Sequence, residues 1–362
     1  MSQIYSQSLS ECPSSADDYC ISVSMSGSVR TRNVLSYVDE FISECSEANN
    51  WSLSTLKTAR VLKSHLSNFG KAESFEYFDK DGLDSFVSYL RYGCSLREAS
   101  CRKQYKNLRW FLSWAIKKKY CAVETILGYA PRFRVVEKPV IFLTEGEFAA
   151  LRSFRIPKEG SVVVLKNLRG RNYRVKVKDC ASLELARDLF CFCAFTSLRY
   201  SDMAALKRPD IREGMIHMVM RKTGGSVQIE LCPQALAILR KYSRRNYPGM
   251  KALPPMSNSR MNRLIKQVCE LAGINTPVSE VFYKGGKRVE GVAPKWARIT
   301  THAARRTFVC FALSQGIPPH VVMKWTGHSD YASMKPYIDV AEKTRTDAMR
   351  ALSRAWSAGT RP

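Results

Sequence analysis

Ile299–Phe308 reads ITTHAARRTF, and it sets a histidine, His302, three residues before an arginine, Arg305. On a helix that spacing puts both side chains on one face, about one turn apart. Alone the pair says little. With 5 His and 57 Lys+Arg in 362 residues, a His followed three places on by a basic residue occurs by chance about 0.8 times. The weight comes from what flanks it, in order. Upstream, Arg199 lies in FTSLRYSDMAAL (195–206) and Lys222 in the Gly-rich turn MRKTGG (220–225). Downstream, His328 lies in KWTGHSD (324–330), and Tyr337, in MKPYI (334–338), follows it by nine residues.

The charge around this set is large. Lys+Arg number 57 against 32 Asp+Glu, a formal +25, which points to a polyanionic partner, with nucleic acid first. Residues 1–30 carry a net −2, residues 31–135 +6, and residues 136–362 +21. No run of like charge exceeds Lys117–Lys119, so the positive field belongs to folded surface and not to a disordered arm. Hydrophobic content of 45% and charged content of 25% exclude wholesale disorder, and the length suits two domains. The longest apolar run, Leu189–Phe195, is far short of the roughly 20 residues of a membrane span, and the N-terminus lacks a signal peptide's basic and apolar regions. Twelve Cys without secretory context or paired spacing read as reduced thiols, so a cytoplasmic, nucleoid-associated protein is expected.

Outward from the set, the chain reads as mainly α with small β-hairpins, an α+β class. Residues 1–30 are Ser-rich and aperiodic, and read as a mobile leader. Helical patterns cover Arg32–Cys45, Ser54–Asn68, Asp81–Tyr92 and Leu96–Lys119. The last has an apolar side of Tyr105, Leu108, Leu112 and Ala115, with Arg102, Lys103, Lys106 and Arg109 off it. Those cations are either a solvated face or a phosphate-contacting one. PRFRVVEKPV breaks the pattern, so 131–140 reads as a linker between a 31–130 helical domain and a 141–340 domain. Thr144 opens a helix with a capping-box signature, T-E-G-E. SVVVLKN and NYRVKVK then flank LRGR as a hairpin with one apolar and one basic face, either a flap on DNA backbone or a merely soluble hairpin. Further helices are expected at Leu183–Phe195, Pro233–Arg245, Ser257–Ala272, Thr301–Gln315, Pro318–Trp325 and Ala341–Trp356, with a hairpin over Ile211–Leu231 and a Gly-rich turn at Lys284–Lys287.

Taken together, Arg199, Lys222, His302 with Arg305, His328 and Tyr337 resemble the tyrosine recombinase (phage integrase) family, with its Arg in T-G-L-R-x-S-E, hairpin Lys, H-x-x-R, G-H box and Tyr about nine residues beyond. The resemblance spans about residues 31–355 and is nearest to integrases of mobile elements, through RDLFCFCAFTSLRYSD and HAARRTF. It implies a helical, SAM-like core-DNA-binding domain followed by a catalytic domain. Departures are Ser197 where Gly is usual, Asp202 for Glu, Thr326 for Leu, and Met334 and Pro336 just before the Tyr. None removes a charged position of the set.

The roles implied fit the chemistry. Arg199 and Arg305 would clamp the nonbridging oxygens of a phosphodiester. Tyr337 would be the nucleophile, Lys222 the general acid for the departing 5′ oxygen, His302 a proton acceptor or positioner, and His328 a donor to the phosphate. No cofactor or metal is implied, since the Arg pair supplies the positive charge. A zinc site from His302, His320 and His328 lacks a fourth ligand. Tyr331, three residues after His328, is the rival nucleophile, and Arg221 and Lys207 lie near Lys222 in sequence. The expected partners are double-stranded DNA recombination sites and a homotetramer on synapsed DNA, with no membrane; accessory DNA-bending proteins stay open. In the family a helix like that in 341–362 packs on a neighbouring protomer; packing on its own domain is the alternative. The expected activity is site-specific DNA breakage and rejoining through a 3′-phosphotyrosyl intermediate and a Holliday junction. A non-cutting architectural or regulatory protein and a type IB topoisomerase are the alternatives.

Overall fold

The computed structural model describes residues 33–121, 128–221, 224–328 and 330–340, together with Met349 and Ser353. The leader read over 1–30, Lys222, and nearly all of the helix read over Ala341–Trp356 lie outside the described residues. The chain divides into two compact units, Met1–Phe133 and Arg134–Pro362. The division falls within the 131–140 stretch.

The first unit is helical. Its elements are α1 (Val34–Ala48), α2 (Leu53–Phe69), α3 (Lys80–Ser88) and α4 (Glu98–Lys117). Side-chain caps start three of them: Asn33 accepts from Leu35 N, Ser52 from Thr55 N and Asp79 from Gly82 N. The helix expected over Asp81–Tyr92 is shorter, because a single π turn at Tyr89–Gly93 takes over its end. On α4 the expected Tyr105, Leu108, Leu112 and Ala115 are buried, and Cys101, Phe111 and Trp114 widen the stripe. They pack on Val34, Val38 and Phe41 of α1 and on Leu62 and Leu66 of α2. Each large apolar side chain so buried contributes about 1.5–3 kcal/mol.

The second unit opens with α5 (Glu145–Ser153), whose Thr144–Glu147 capping box forms as its sequence predicts. The hairpin of β1 (Val162–Lys166) and β2 (Asn172–Lys176) follows, then α6 (Cys180–Thr196) and one turn, α7 (Tyr200–Met203). A three-stranded antiparallel sheet comes next, β3 (Ile211–Arg212), β4 (Met215–Val219) and β5 (Ser226–Glu230). After α8 (Pro233–Tyr242) and α9 (Asn258–Leu271) stands a long hairpin, β6 (Pro277–Lys284) and β7 (Lys287–Pro294). Its Gly285–Gly286 turn is plain in the sequence, but its strands are not. β7, KRVEGVAP, contains Gly and Pro and is exposed along most of its length, so it shows no two-residue alternation. The unit ends with α10 (Lys295–Arg298), α11 (Thr301–Ser314), α12 (Pro319–Thr326) and a helical stretch at 335–340.

Helix α6 is the axis of this unit. Leu189, Phe190, Phe192 and Cys193 are buried, and the helix packs on α9, α11 and α8. Its own periodicity is blurred because it is apolar nearly all round, as a central helix must be. A smaller cluster of Val309, Ala312, Leu313, Val322 and Met334 joins α11, α12 and the segment that carries Tyr337. Among the described residues, no helix is long and apolar enough to cross a membrane.

Candidate active site

The end of α6 builds one wall of the site. Ser197 caps the helix in the left-handed region (φ 59°), a position that costs a non-glycine residue about 1–2 kcal/mol. Its fully buried hydroxyl donates to Trp325 O at 3.0 Å, which offsets part of that strain and ties the turn to the end of α12. The chain then reverses, and Arg199 becomes the N-cap residue of α7.

Arg305, from the second turn of α11, is the counterpart. It is 2% exposed, the largest of the fully buried side chains. Its Nη1 donates to Ser197 O at 3.0 Å and its Nη2 to Thr326 O. Two backbone carbonyls thus fix the guanidinium plane. Burial and the nearby Arg199 charge push its pKa down to about 9, opposed by Tyr337 and Asp202. It stays cationic at neutral pH. Two cations therefore act on one another in a poorly solvated place, and a carboxylate acts on both: Asp202 is fully buried, with Oδ2 4.0 Å from Arg199 Nη1 and its charge felt by Arg305. Among the described residues, Arg199 Nη1 and Arg305 Nε are buried N–H groups with no hydrogen-bond partner. Unmet buried donors are costly, typically 1–3 kcal/mol each, so their retention signals a missing acceptor.

His328 sits against Arg305. Its Nε2 is 3.1 Å from Arg305 Nη2, and its Nδ1 is 2.8 Å from Thr326 Oγ1. A guanidinium can only donate, so Nε2 must accept and Nδ1 must carry the proton. The Thr326 hydroxyl accepts that proton's hydrogen bond and donates its own to Val322 O at 2.8 Å. Burial, then Arg305, Arg199 and His302, lower the His328 pKa to about 4, with Asp330 opposing. The imidazole is neutral at pH 7. The turn that presents it needs glycine: Gly327 has φ 57°, and a Cβ there would lie 3.3 Å from Val227 Cγ1 and 3.5 Å from Met220 Cε.

The remaining members are placed as follows. His302 is on the first turn of α11, exposed, and close enough for its charge to act on His328. Tyr337 is half-buried; its N–H donates to Met334 O at 2.9 Å, and its ring packs on the cluster anchored by the fully buried Met334. Its charge acts on Arg305, which ties it electrostatically to the Arg pair. Tyr331, the rival, lies 60% exposed in a short 3-10 turn. Lys222 lies outside the described residues; on either side of it, Arg221 N donates to Asp202 Oδ1 at 3.0 Å and Gly224 N to Met220 O at 2.9 Å. In the first unit, Arg102, Lys103 and Lys106 are exposed on α4, with Arg109 half-buried beside them.

Three contributors were not legible as site members in the sequence. Ser197, Asp202 and Thr326 stood out only as departures from the family pattern, and each proves to be a buried link between walls of the site. Departure at positions adjacent to charged residues was the available signal.

Comparison with known proteins bears on the same regions. The phage integrase family model matches residues 176–344, and the phage integrase SAM-like domain model matches residues 33–127. A search of curated proteins finds no significant match. Among solved structures, a lambda integrase tetramer bound to a Holliday junction is similar with TM-score 0.61 and 15% identity, over 86% of this chain and 79% of that one. A lambda integrase dimer bound to a COC′ core site gives 0.59 and 14%, over 85% and 77%. The Tn1549 transposon integrase in complex with circular intermediate DNA gives 0.57 and 14%, over 87% and 99%. At such identities the likeness speaks to fold; together with the two family models covering both units, it places the chain in the phage integrase (tyrosine recombinase) family.

Proposed function

We propose that this protein is a site-specific DNA recombinase that cuts and rejoins DNA through a 3′-phosphotyrosyl intermediate. The observation that carries the reading is the pairing of half-buried Arg199 with buried Arg305, two cations whose Nη1 and Nε donors, respectively, are buried and lack an acceptor among the described residues. A phosphodiester supplies the missing oxygens. As Tyr337 attacks, negative charge grows on the nonbridging oxygens, and the preorganised guanidinium groups stabilise it more than the ground state.

In the forward step the Tyr337 oxygen bonds to phosphorus and the bond from phosphorus to the 5′ oxygen breaks. The phenol proton passes to His302 or solvent, and Lys222 protonates the departing 5′ oxygen. The reverse step, with a 5′ hydroxyl from the partner duplex, rejoins the strand with no external energy source. His328 holds Arg305 in the free protein. To donate to the phosphate it must gain a proton at Nε2, which an adjacent anion favours.

The exposed Arg102, Lys103 and Lys106, with Arg109, serve as phosphate contacts of the helical unit. The likeness to a tetramer on a Holliday junction supports a tetrameric synapse; exchange of residues 341–362 between protomers is part of the same reading and rests on the family resemblance. The decisive experiment is Tyr337→Phe. The variant should retain DNA binding and form no covalent adduct on a nicked suicide duplex. An adduct that persists in this variant would refute the nucleophile assignment, and a wild type that traps no DNA on its own site would favour a non-cutting role. Relaxation of any supercoiled plasmid, without a specific site, would favour a topoisomerase.

A further inference from the structure

The β1–β2 hairpin lies outside the site, yet it is the most one-sidedly charged element of the second unit. From Ser161 to Lys178 the chain has six basic residues, Lys166, Arg169, Arg171, Arg174, Lys176 and Lys178, and no acidic one. All six are exposed, and none makes an ion pair among the described residues. The register is regular: Val162 faces Lys176, Val164 faces Arg174, and Lys166 faces Asn172. These outward pairs share one exposed face. The inward residues Val163, Leu165 and Val175 pack on the core, and Tyr173 Oη donates to Glu270 Oε1 at 2.7 Å. The face is therefore rigidly backed.

Protection of the open strand edges would explain a few charges, since exposed edges are commonly blunted with Lys. It does not explain their uniform sign. The β6–β7 hairpin, equally two-stranded, balances its cations with Glu280, paired to Arg298, and Glu290, paired to Arg288. β1–β2 has no such balance.

We propose that the exposed face and tip of the β1–β2 hairpin form a second duplex-DNA contact, distinct from the Arg199–Arg305 site. The choice of duplex DNA as the polyanion rests on the recombinase reading. A two-stranded ribbon has the width to enter a major groove. Arg174 and Lys176 recur at about 6.8 Å along β2, with Lys178 just past its end, a spacing that lets successive cations meet a phosphate backbone. Val162 and Val164, more than half exposed, sit among them and offer methyl contacts to base edges. Helix α6 begins four residues after β2 and leads to Arg199; its 17 residues span about 25 Å. One duplex of about 20 base pairs is long enough to meet both.

The test is the salt dependence of binding to a fluorescent 30-base-pair duplex of mixed sequence. Lys166→Gln/Arg174→Gln/Lys176→Gln should lower the slope of log K against log salt by about 2–3, because each lost phosphate contact removes about 0.9. Lys284→Gln/Lys287→Gln on the balanced hairpin should change it by less than 1. An unchanged slope in the triple variant, or an equal fall per charge in both, overturns the proposal. If the triple variant melts early, Arg169→Gln/Arg171→Gln at the tip repeats the test without touching the strands. Covalent trapping by Tyr337 is read separately, so failure of the recombinase reading leaves its own mark.

Discussion

Thr326→Val is the most direct probe of the buried site, because valine matches the shape of threonine and removes only the hydroxyl. In the native protein that hydroxyl accepts from His328 Nδ1 at 2.8 Å and donates to Val322 O at 2.8 Å. Val322 O is a helix carbonyl that keeps other options, so its loss is cheap. The His328 Nδ1–H has none beside a valine methyl. Either it stays unsatisfied, or the proton moves to Nε2 and faces the Arg305 Nη2 donor at 3.1 Å. An unmet buried donor costs about 1–3 kcal/mol, and the added methyl returns a fraction, so a net loss of about 1–2 kcal/mol is expected by urea unfolding. The direct readout is the imidazole nitrogen shifts of histidine-labelled protein at pH 7; with 5 His in the chain, one His328→Gln variant assigns the signal. The wild type should show the Nδ1–H tautomer, Thr326→Ser should keep it, and Thr326→Val should lose it. A wild-type His328 that is cationic, or protonated at Nε2, would refute the assignment, as would a valine variant of unchanged stability and spectrum.

Two further outcomes follow from the same geometry. Because the folded His328 pKa is lowered to about 4 from 6.5, the unfolded chain binds more protons between those values; its contribution to stability is full above pH 6.5 and lost as pH falls toward 4. Replacing His328 with Gln should flatten the pH dependence of urea stability in that window, and an unaltered slope would show that the imidazole is not held neutral. Arg305→Lys keeps a charge but cannot hold the Ser197 and Thr326 carbonyls and a phosphate together. Single-turnover cleavage should fall by about 10²–10³-fold with DNA affinity little changed; a loss confined to affinity would count against a role in the transition state.

Much of the architecture could be read from local signals. The α4 stripe, the Thr144–Glu147 capping box, the Gly327 stop and the β1–β2 alternation are short-range patterns, set by helix or strand period and by capping chemistry. The spacing of Arg199, His302, Arg305, His328 and Tyr337 was equally legible, since it lies in the order of residues. β6–β7 was not, because an exposed hairpin with Gly and Pro has no apolar face to declare itself. Nor were the links that turn a motif into a site. That Ser197 sits in the left-handed region and bonds Trp325 O, that Asp202 joins Arg199 to the β4–β5 turn, and that Thr326 sets the tautomer of His328 depend on contacts between residues up to 128 positions apart. Sequence alone determined which charges this protein carries and the order in which they come. Only the tertiary structure decided which are stripped of water and placed side by side. Burial, not composition, moves Arg305 to about 9 and His328 to about 4.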